Sequence, residues 1–596
     1  MKTNRPAIRC VAAAGSFALL LAAPRLHAQE ADLETLNRIV AAGKLSRAPI
    51  IRIPPKTYRI ASSWDLRGLS NTVLDGQGSL VLYTGTNLGL MPWSLRDGAR
   101  LTMRHFVFDY EVPPFAQGEV AEVGAGGRIL RLRAHAGYPD FSRTGSFRQM
   151  YLFDRQTRGW KRGTADLYPE KVEILSPTEA RVTLPTNLAP TFPRHQAGDL
   201  WAATMRVSSA FGIYHCEDLV LEKITLRAAP SLAFVIRYQR GGLLVDGCRV
   251  ERGPLPPGAT EARLMSSGAD ALNVAYLTAG MRVEHCDFGW MGDDSINIHG
   301  GVYPILRVEA PDRLVIAKRG DLGALDELLQ GGARLRFTQG GSFAPLGDGQ
   351  GASLAPVPEP RPHDEGEIKA WWPSLSKTRV VEYALRLTNT VLRAKAGDWV
   401  EFPDINGDGY VVRDNYFHDH RARCVRIQAG RGLIERNRFE RIGHAGLSIG
   451  PEYTYWREAG WAWDVVIRSN QFKDIGMQWN LVSPYGYCPG AISLFYKPEN
   501  ASLRPPIGNR RVTIEGNRID GCTVAGIHVN ASEDVLIKGN LLKSCNLEDG
   551  SMAGAQYGLS STHAITVLNS RDVRTEGNRV ENPGRYARGE VGPQEK

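Results

Sequence analysis

A chain of 596 residues exceeds one ordinary globular core, so it holds either several domains or one long solenoid. Its apolar runs are short and rich in Val and Ile, and long amphipathic patterns are missing, which excludes a mainly helical fold. The formal charge of +9 is spread without a basic stripe, which argues against a nucleic-acid partner.

The first 28 residues read as a signal peptide. Lys2, Arg5 and Arg9 form a basic region, Val11 to Ala23 is apolar but too short to span a bilayer, and Leu26-His27-Ala28 offers a cleavage site. Removing this segment takes away four positive charges and no negative ones, leaving +5 on a chain that starts at Gln29. The expected location is periplasmic or extracellular. No later run is long and apolar enough to span a membrane. Seven cysteines remain, an odd number, at spacings that do not form a zinc site.

Residues 33–45 predict a short helix over the start of a solenoid. Ile50 to Tyr58, Thr72 to Gly78 and Leu101 to Phe108 look like its first coils, within an N-terminal segment 29–118. Residues 119–205 break the pattern. Alternating stretches such as Ile129 to Arg133 and Ala180 to Leu184, separated by Gly and Pro turns, predict an inserted antiparallel β-domain. Coils resume over 206–301. A second insert is expected over 302–404, and C-terminal coils over 405–580 before a tail at 581–596.

An internal repeat ties the coils together. Its unit is apolar–x–apolar, two or three residues, a fixed slot, then x–apolar. The slot holds Asn415, Asn437, Asn470, Asn517, Asn540 and Asn578, and further upstream Cys248 and Cys286. An asparagine at a tight bend tolerates the left-handed region and can bond to the coils above and below. Eight matches predict an all-β chain: a right-handed parallel β-helix carrying two small β-barrel-like inserts. The register sets Cys286 one coil after Cys248, and Cys545 one coil after Cys522. Both pairs are candidates for disulfides, and equally for stacked buried thiols.

The candidate active residues sit in the coil block before the second insert. Gly292-Asp293-Asp294 is followed by an alternation with Ile296 and Ile298 on one face and Ser295, Asn297 and His299 on the other. Asp270 lies 23 residues upstream, about one coil away, roughly 4.8 Å along the stack. Strand parity would bury Asp294 unless the chain turns at Gly292. Crowded carboxylates push their pKa values apart, so one can hold a proton while another is an ionised base, the requirement of glycoside hydrolysis. Asn297 and His299 are candidates for orienting a sugar. Arg426, with Gln428, should face outward and line a groove. Trp456 and Glu458, on a long loop, and Trp290 offer a stacking face and a hydroxyl acceptor; either Trp can equally cover the solenoid edge. Asp404 to Gly409 resembles the start of a calcium loop without its closing Glu and reads as a turn.

The stretch from Ala269 to Tyr303, with Asp270, Gly292-Asp293-Asp294, Asn297 and His299-Gly300, resembles glycoside hydrolase family 110, α-galactosidases acting on terminal α-1,3-linked galactose. Asp109-Tyr110, Pro113-Pro114-Phe115, Gln117-Gly118 and the loop Tyr455 to Gly460 are similar too, although Arg457 and Ala459 depart from the pattern around Glu458. The resemblance implies an exo-acting, inverting hydrolase with no metal or other cofactor, run by Asp270, Asp293 and Asp294 on a glycan substrate. By analogy with β-helix glycosidases, Asp293 would protonate the leaving oxygen while Asp270 and Asp294 hold the water. An inverting pair stands about 6.5–9.5 Å apart, so a diagonal arrangement is expected. A polygalacturonase-like hydrolase of an acidic polysaccharide is the alternative, though no Gly-His-Gly or Arg-x-Lys element matches. A non-catalytic carbohydrate-binding surface protein would share the repeat without needing the carboxylates.

Overall fold

In a computed structural model of the chain, the eight slot positions stack into one ladder. The structure describes residues 19–142, 149–320, 323–329, 331–375, 377–388, 393–478, 489–498, 506–552 and 559–593, with the side chains of 19–29 and of Met552 left aside. Asn415 Nδ2 donates to the Val283 carbonyl of the previous coil at 2.9 Å, and its Oδ1 accepts from the Cys286 amide at 2.9 Å. Asn437, Asn470, Asn517, Asn540 and Asn578 repeat the donation to the coil before. Cys248 and Cys286 fill the same slot and turn their thiols to Leu221 O and Val245 O at 3.4 and 3.5 Å. The left-handed residue is not the asparagine. It is the one before, from Gly247 and His285 to Gly539 and Gly577, with φ of 54° to 62°.

The strands on either side of the ladder pair in parallel, coil on coil. One face runs through Glu217–Glu222, Met281–Glu284, Val411–Arg413, Gly432–Glu435, Trp463–Arg468, Asn509–Glu515 and Ser532–Lys538. The next runs through Asp287–Gly289, Tyr416–His420, Arg438–Ile442, Gln471–Ile475 and Arg518–Cys522. The third, which carries the site, runs through Phe234–Asp246, Leu272–Leu277, Ile296–Ala310, Val425–Ile427 and Leu447–Ile449. Alternate residues point inward, so identical positions meet. Phe288, Phe417, Phe439 and Phe472 form a ring column with centroids 5.9, 5.3 and 4.5 Å apart. The fold is thus the expected parallel β-helix.

The disulfide candidates are not bonded. Cys248, Cys286, Cys522 and Cys545, with Cys216 and Cys424, are buried free thiols. Each thiol faces a backbone carbonyl. Cys488 lies outside the described residues.

The N-terminal helix is longer than expected, Leu19–Leu45, because the Ala- and Leu-rich run before residue 33 has high helix propensity. Leu36 and Val40 are its buried contacts with the first coil. Most of the signal-peptide reading falls outside the described residues. Among those described, no helix is long and apolar enough to cross a membrane.

Two antiparallel units flank the site. Strands Phe115–Gly124, Ile129–Ala134, Gln149–Phe153, Lys171–Ser176, Glu179–Thr183 and Leu200–Thr204 form a six-stranded sheet over its own core of Val120, Leu130, Leu152 and Trp201. Among the described residues its two end strands do not pair, so it is an open sheet and not a closed barrel; the terminal strand Lys171–Ser176 is largely exposed, as an edge is. The second unit grows from the site strand itself. Ile296–Ala310 leaves the parallel sheet after His299 and continues antiparallel to Arg313–Arg319 and Trp399–Glu401. Asp404 and Asp408 lie in a turn and meet Arg334 and the Gly430 amide, in keeping with the turn reading of that segment.

Candidate active site

Register decides how the three aspartates meet. Leu272 pairs with Ile296 and Asn273 with Asn297, an offset of 24, so Asp270 lies level with Asp294, not with Asp293. The chain turns over Met291 to Ser295 before the strand begins. That turn brings both acidic side chains to one side despite their adjacency. One oxygen from each of Asp270, Asp293 and Asp294 lies within 4.8 Å of the other two. This is tighter than the diagonal spacing expected from the sequence.

The three carboxyls differ in their partners. Asp294 is 1% exposed and accepts two hydrogen bonds from Arg423, from Nε at 3.1 Å and Nη2 at 2.7 Å. Burial and the Asp293 charge nonetheless push it up to about 6. Asp293 is also pushed up by burial, but Arg421, Arg206 and Arg423 outweigh that and hold it at about 2. Arg206 reaches its Oδ2 at 2.9 Å and Arg421 at 3.9 Å. Asp270 bonds neutral donors, Asn273 Nδ2 at 2.6 Å and the Asp294 amide at 3.3 Å. Burial first, then the charges of Asp293 and Asp294, drive it well above the usual carboxylate range. These shifts favour a proton on Asp270 and a negative charge on Asp293. The same oxygens are close enough to share a cation, but Arg206 and Arg423 already neutralise two of the three carboxylates.

Glu458 arrives by backbone pairing. Gly300 and Gly301 pair antiparallel with Ala459 and Glu458. Gly300 packs tightly on Asn406, whose Oδ1 would lie 1.7 Å from a Cβ at this position. Glu458 then accepts from Gln428 Nε2 at 2.7 Å and faces Asn297 Nδ2 at 3.5 Å and His299 Nε2 at 3.6 Å. Burial opposes its charge, but His299, Gln428 and Arg426 lower it overall, so Glu458 is an ionised hydroxyl acceptor.

These groups share a cavity of about 920 Å³. Asp270, Asp293, Asp294, Asn297, His299, Glu458 and the half-exposed Trp456 line it. Two expected residues do not. Trp290 lies outside the cavity wall, with the Arg252 guanidinium 3.4 Å above its ring and His418 against its edge; it covers the solenoid edge. Arg426 points out from its strand as parity requires, yet it is 1% exposed and bonds Ser448 Oγ at 3.0 Å. The returning loop, whose Glu452 amide bonds Gln428, buries that face.

Several lining residues escaped the sequence reading. Arg421 and Arg423 precede Val425, which pairs with Ile296; a register between coils separated by the second insert was the only signal for them. Arg206, Asp166 and Tyr168 reach the cavity from the first antiparallel unit and its return, and their spacing carries no signal.

No protein-family model matches the chain. Among curated proteins it is similar to alpha-1,3-galactosidase B of Bacteroides thetaiotaomicron, 24% identical over 454 residues, 72% of this chain and 66% of the relative. It is similar to alpha-1,3-galactosidase B of Akkermansia muciniphila, also 24% identical, over 76% of this chain and 54% of the relative. The chain thus spans between about half and two thirds of these relatives' lengths. Among solved structures, the family 28 exopolygalacturonase of Yersinia enterocolitica overlaps at a TM-score of 0.36 and 11% identity, over 92% of this chain and 73% of that one, an overlap too low to weigh. By sequence, the chain is a distant relative of the proteins named alpha-1,3-galactosidase, the family that the Asp270 to Gly300 block resembles.

Proposed function

We propose that this chain is an exo-acting glycoside hydrolase that releases terminal α-1,3-linked galactose from glycans, with inversion at the anomeric carbon. The observation that carries this reading is the three-carboxylate cluster in a polar cavity, on a chain whose relatives bear the galactosidase name. A cavity walled by both antiparallel units and by Tyr455 to Glu458 suits the end of a glycan better than its middle.

The chemistry needs a proton for the leaving oxygen and a held water for the anomeric carbon. Two oxygens no more than 4.8 Å apart can both bond one water at about 2.7–2.8 Å, so Asp270 and Asp294 can hold the nucleophile together. Asp293 then faces the leaving oxygen. The shifts favour its charge, and a proton on Asp270. Transfer of that proton from Asp270 to Asp293 as the sugar enters leaves one base and one acid in the required places. Glu458, Asn297 and His299 bond the galactose hydroxyls, and Trp456 offers its ring face.

Proton NMR during hydrolysis of an α-1,3-linked galactobiose tests the reading, and the first sugar formed should be β-galactose. First-formed α-galactose would replace inversion with retention. Asn in place of any of the three aspartates should cut kcat by about 10²–10⁴-fold. Asp293→Asn should recover part of its loss on α-galactosyl fluoride, whose leaving group needs no proton. Export is a further part of the proposal, supported by the basic and apolar pattern of residues 1–28. N-terminal sequencing of the exported protein should begin at Gln29.

A further inference from the structure

The cavity has a second polar wall that the galactose-binding groups do not use. Glu458, Asn297 and His299 lie on the strand side of the carboxylates. Residues of the first antiparallel unit are tied instead to Asp293, through Arg206 and Arg421. Asp166 reaches Arg421 Nε at 3.1 Å, in an off-line ion pair, and Arg421 faces Asp293. Arg206, bonded to Asp293, also meets the Gly292 carbonyl at 3.0 Å and Tyr151 Oη at 3.3 Å. Tyr168 follows Asp166 by two residues, lines the cavity and is 52% exposed, which leaves a ring face open to it. Burial first, and then the Asp166 charge, raise its hydroxyl above the usual tyrosine range. Gln149 and Asn187 add amides to the same wall, and Leu188 adds an apolar patch.

We propose that this wall is the acceptor subsite, which binds the sugar that leaves after bond cleavage, and that Tyr168 is its main specificity-determining residue. The chemistry fits a neutral, hydroxylated pyranose. Tyr168 offers a ring for the apolar sugar face, and the amides of Gln149 and Asn187 both donate and accept. Asp293 is held by Arg206 and Arg421, which also meet Tyr151 and Asp166 of this wall, so a sugar bound here would carry its leaving oxygen toward Asp293. Preference for the second sugar then resides in the inserted sheet and not in the β-helix. The assignment rests on the galactosidase reading.

The test compares kcat/KM on α-1,3-linked galactobiose with kcat/KM on α-galactosyl fluoride, which has no acceptor sugar. Tyr168→Ala should lower the ratio of the two by at least about tenfold, the usual effect of removing a buried-on-binding aromatic contact. Asn187→Ala should lower it in the same direction, and Glu458→Gln should lower both rates and leave the ratio near the wild-type value. Circular dichroism and Tm check that the variants fold. If the wild-type enzyme acts on these substrates and Tyr168→Ala and Asn187→Ala leave the ratio unmoved, the subsite assignment is overturned and the galactosidase reading stands. A wild-type enzyme inert on both substrates overturns the galactosidase reading and the subsite with it.

Discussion

Asp294 shows how far a side chain's neighbours depart from what its sequence position implies. Parity on the strand would bury it with Ile296 and Ile298 unless the chain turned at Gly292; the turn is there and delivers it to the cavity, where Arg423 grips both its oxygens. Its carboxyl is pushed up to about 6, against about 3.9 for an unfolded aspartate. A raised folded pKa means that the folded state binds the proton more tightly. The stability this contributes is present below about pH 4 and is lost as pH rises through about 6. Thermal melts across this range should show Asp294→Asn with a shallower fall in Tm between pH 4 and 6 than the wild type. A variant whose Tm falls as steeply would mean that Asp294 is ionised throughout. Asp293 has the opposite sign: held at about 2, it contributes stability present above about pH 4 and lost as pH falls through 2.

At the scale of the element, the slot ladder was legible because a solenoid repeats its hydrogen bonds as well as its core. Asn517 donates to Ile467 O, and its Oδ1 accepts from both the amide and the side chain of Asn470. Leu at this position would orphan those buried groups, at a cost of about 1–3 kcal/mol for each left unsatisfied. Asn517→Leu should therefore lower Tm, and an unchanged melt would count against the ladder. The cysteine slots carried an ambiguous signal. One-rung spacing permits a disulfide, and only the thiol directions, toward Leu221 O and Val245 O, show that Cys248 and Cys286 act as hydrogen-bonding substitutes for asparagine. The left-handed residue was misplaced by one position in the sequence reading, because a pattern of residue types does not report φ.

At the scale of the molecule, the site is a junction of four segments, and the joints are polar. Asp109 accepts from Arg263 Nη1 at 2.6 Å and Nη2 at 3.2 Å, with both side chains buried, and Gln117 bonds Ala262 O and the Leu264 amide. Asp109 and Gln117, part of the family resemblance, thus anchor the segment that leads to Asp270 rather than touching the carboxylates. Asp109→Ala leaves Arg263 buried and unpaired, which should cost about 3–5 kcal/mol. The expected result is a markedly lower Tm together with loss of galactose release; retained stability would show that the joint is dispensable.

The sequence alone determined the β-helix, the slot ladder and the three aspartates, because each rests on a local pattern that the solenoid repeats at near-constant spacing. It also placed Asn297, His299, Trp456 and Glu458 near the site. The tertiary structure decided what those groups meet. Arg206, Arg421, Arg423, Asp166 and Tyr168 come from segments tens to hundreds of residues away, delivered by the antiparallel units and by pairing across the second of them. The same long-range packing removed Arg426, since a strand's parity says which way a side chain points and not whether a loop will cover it, while Trp290 stacks under Arg252 outside the cavity. Those distant guanidinium groups hold the charge on Asp293, whereas burial and the neighbouring carboxylates push Asp270 up.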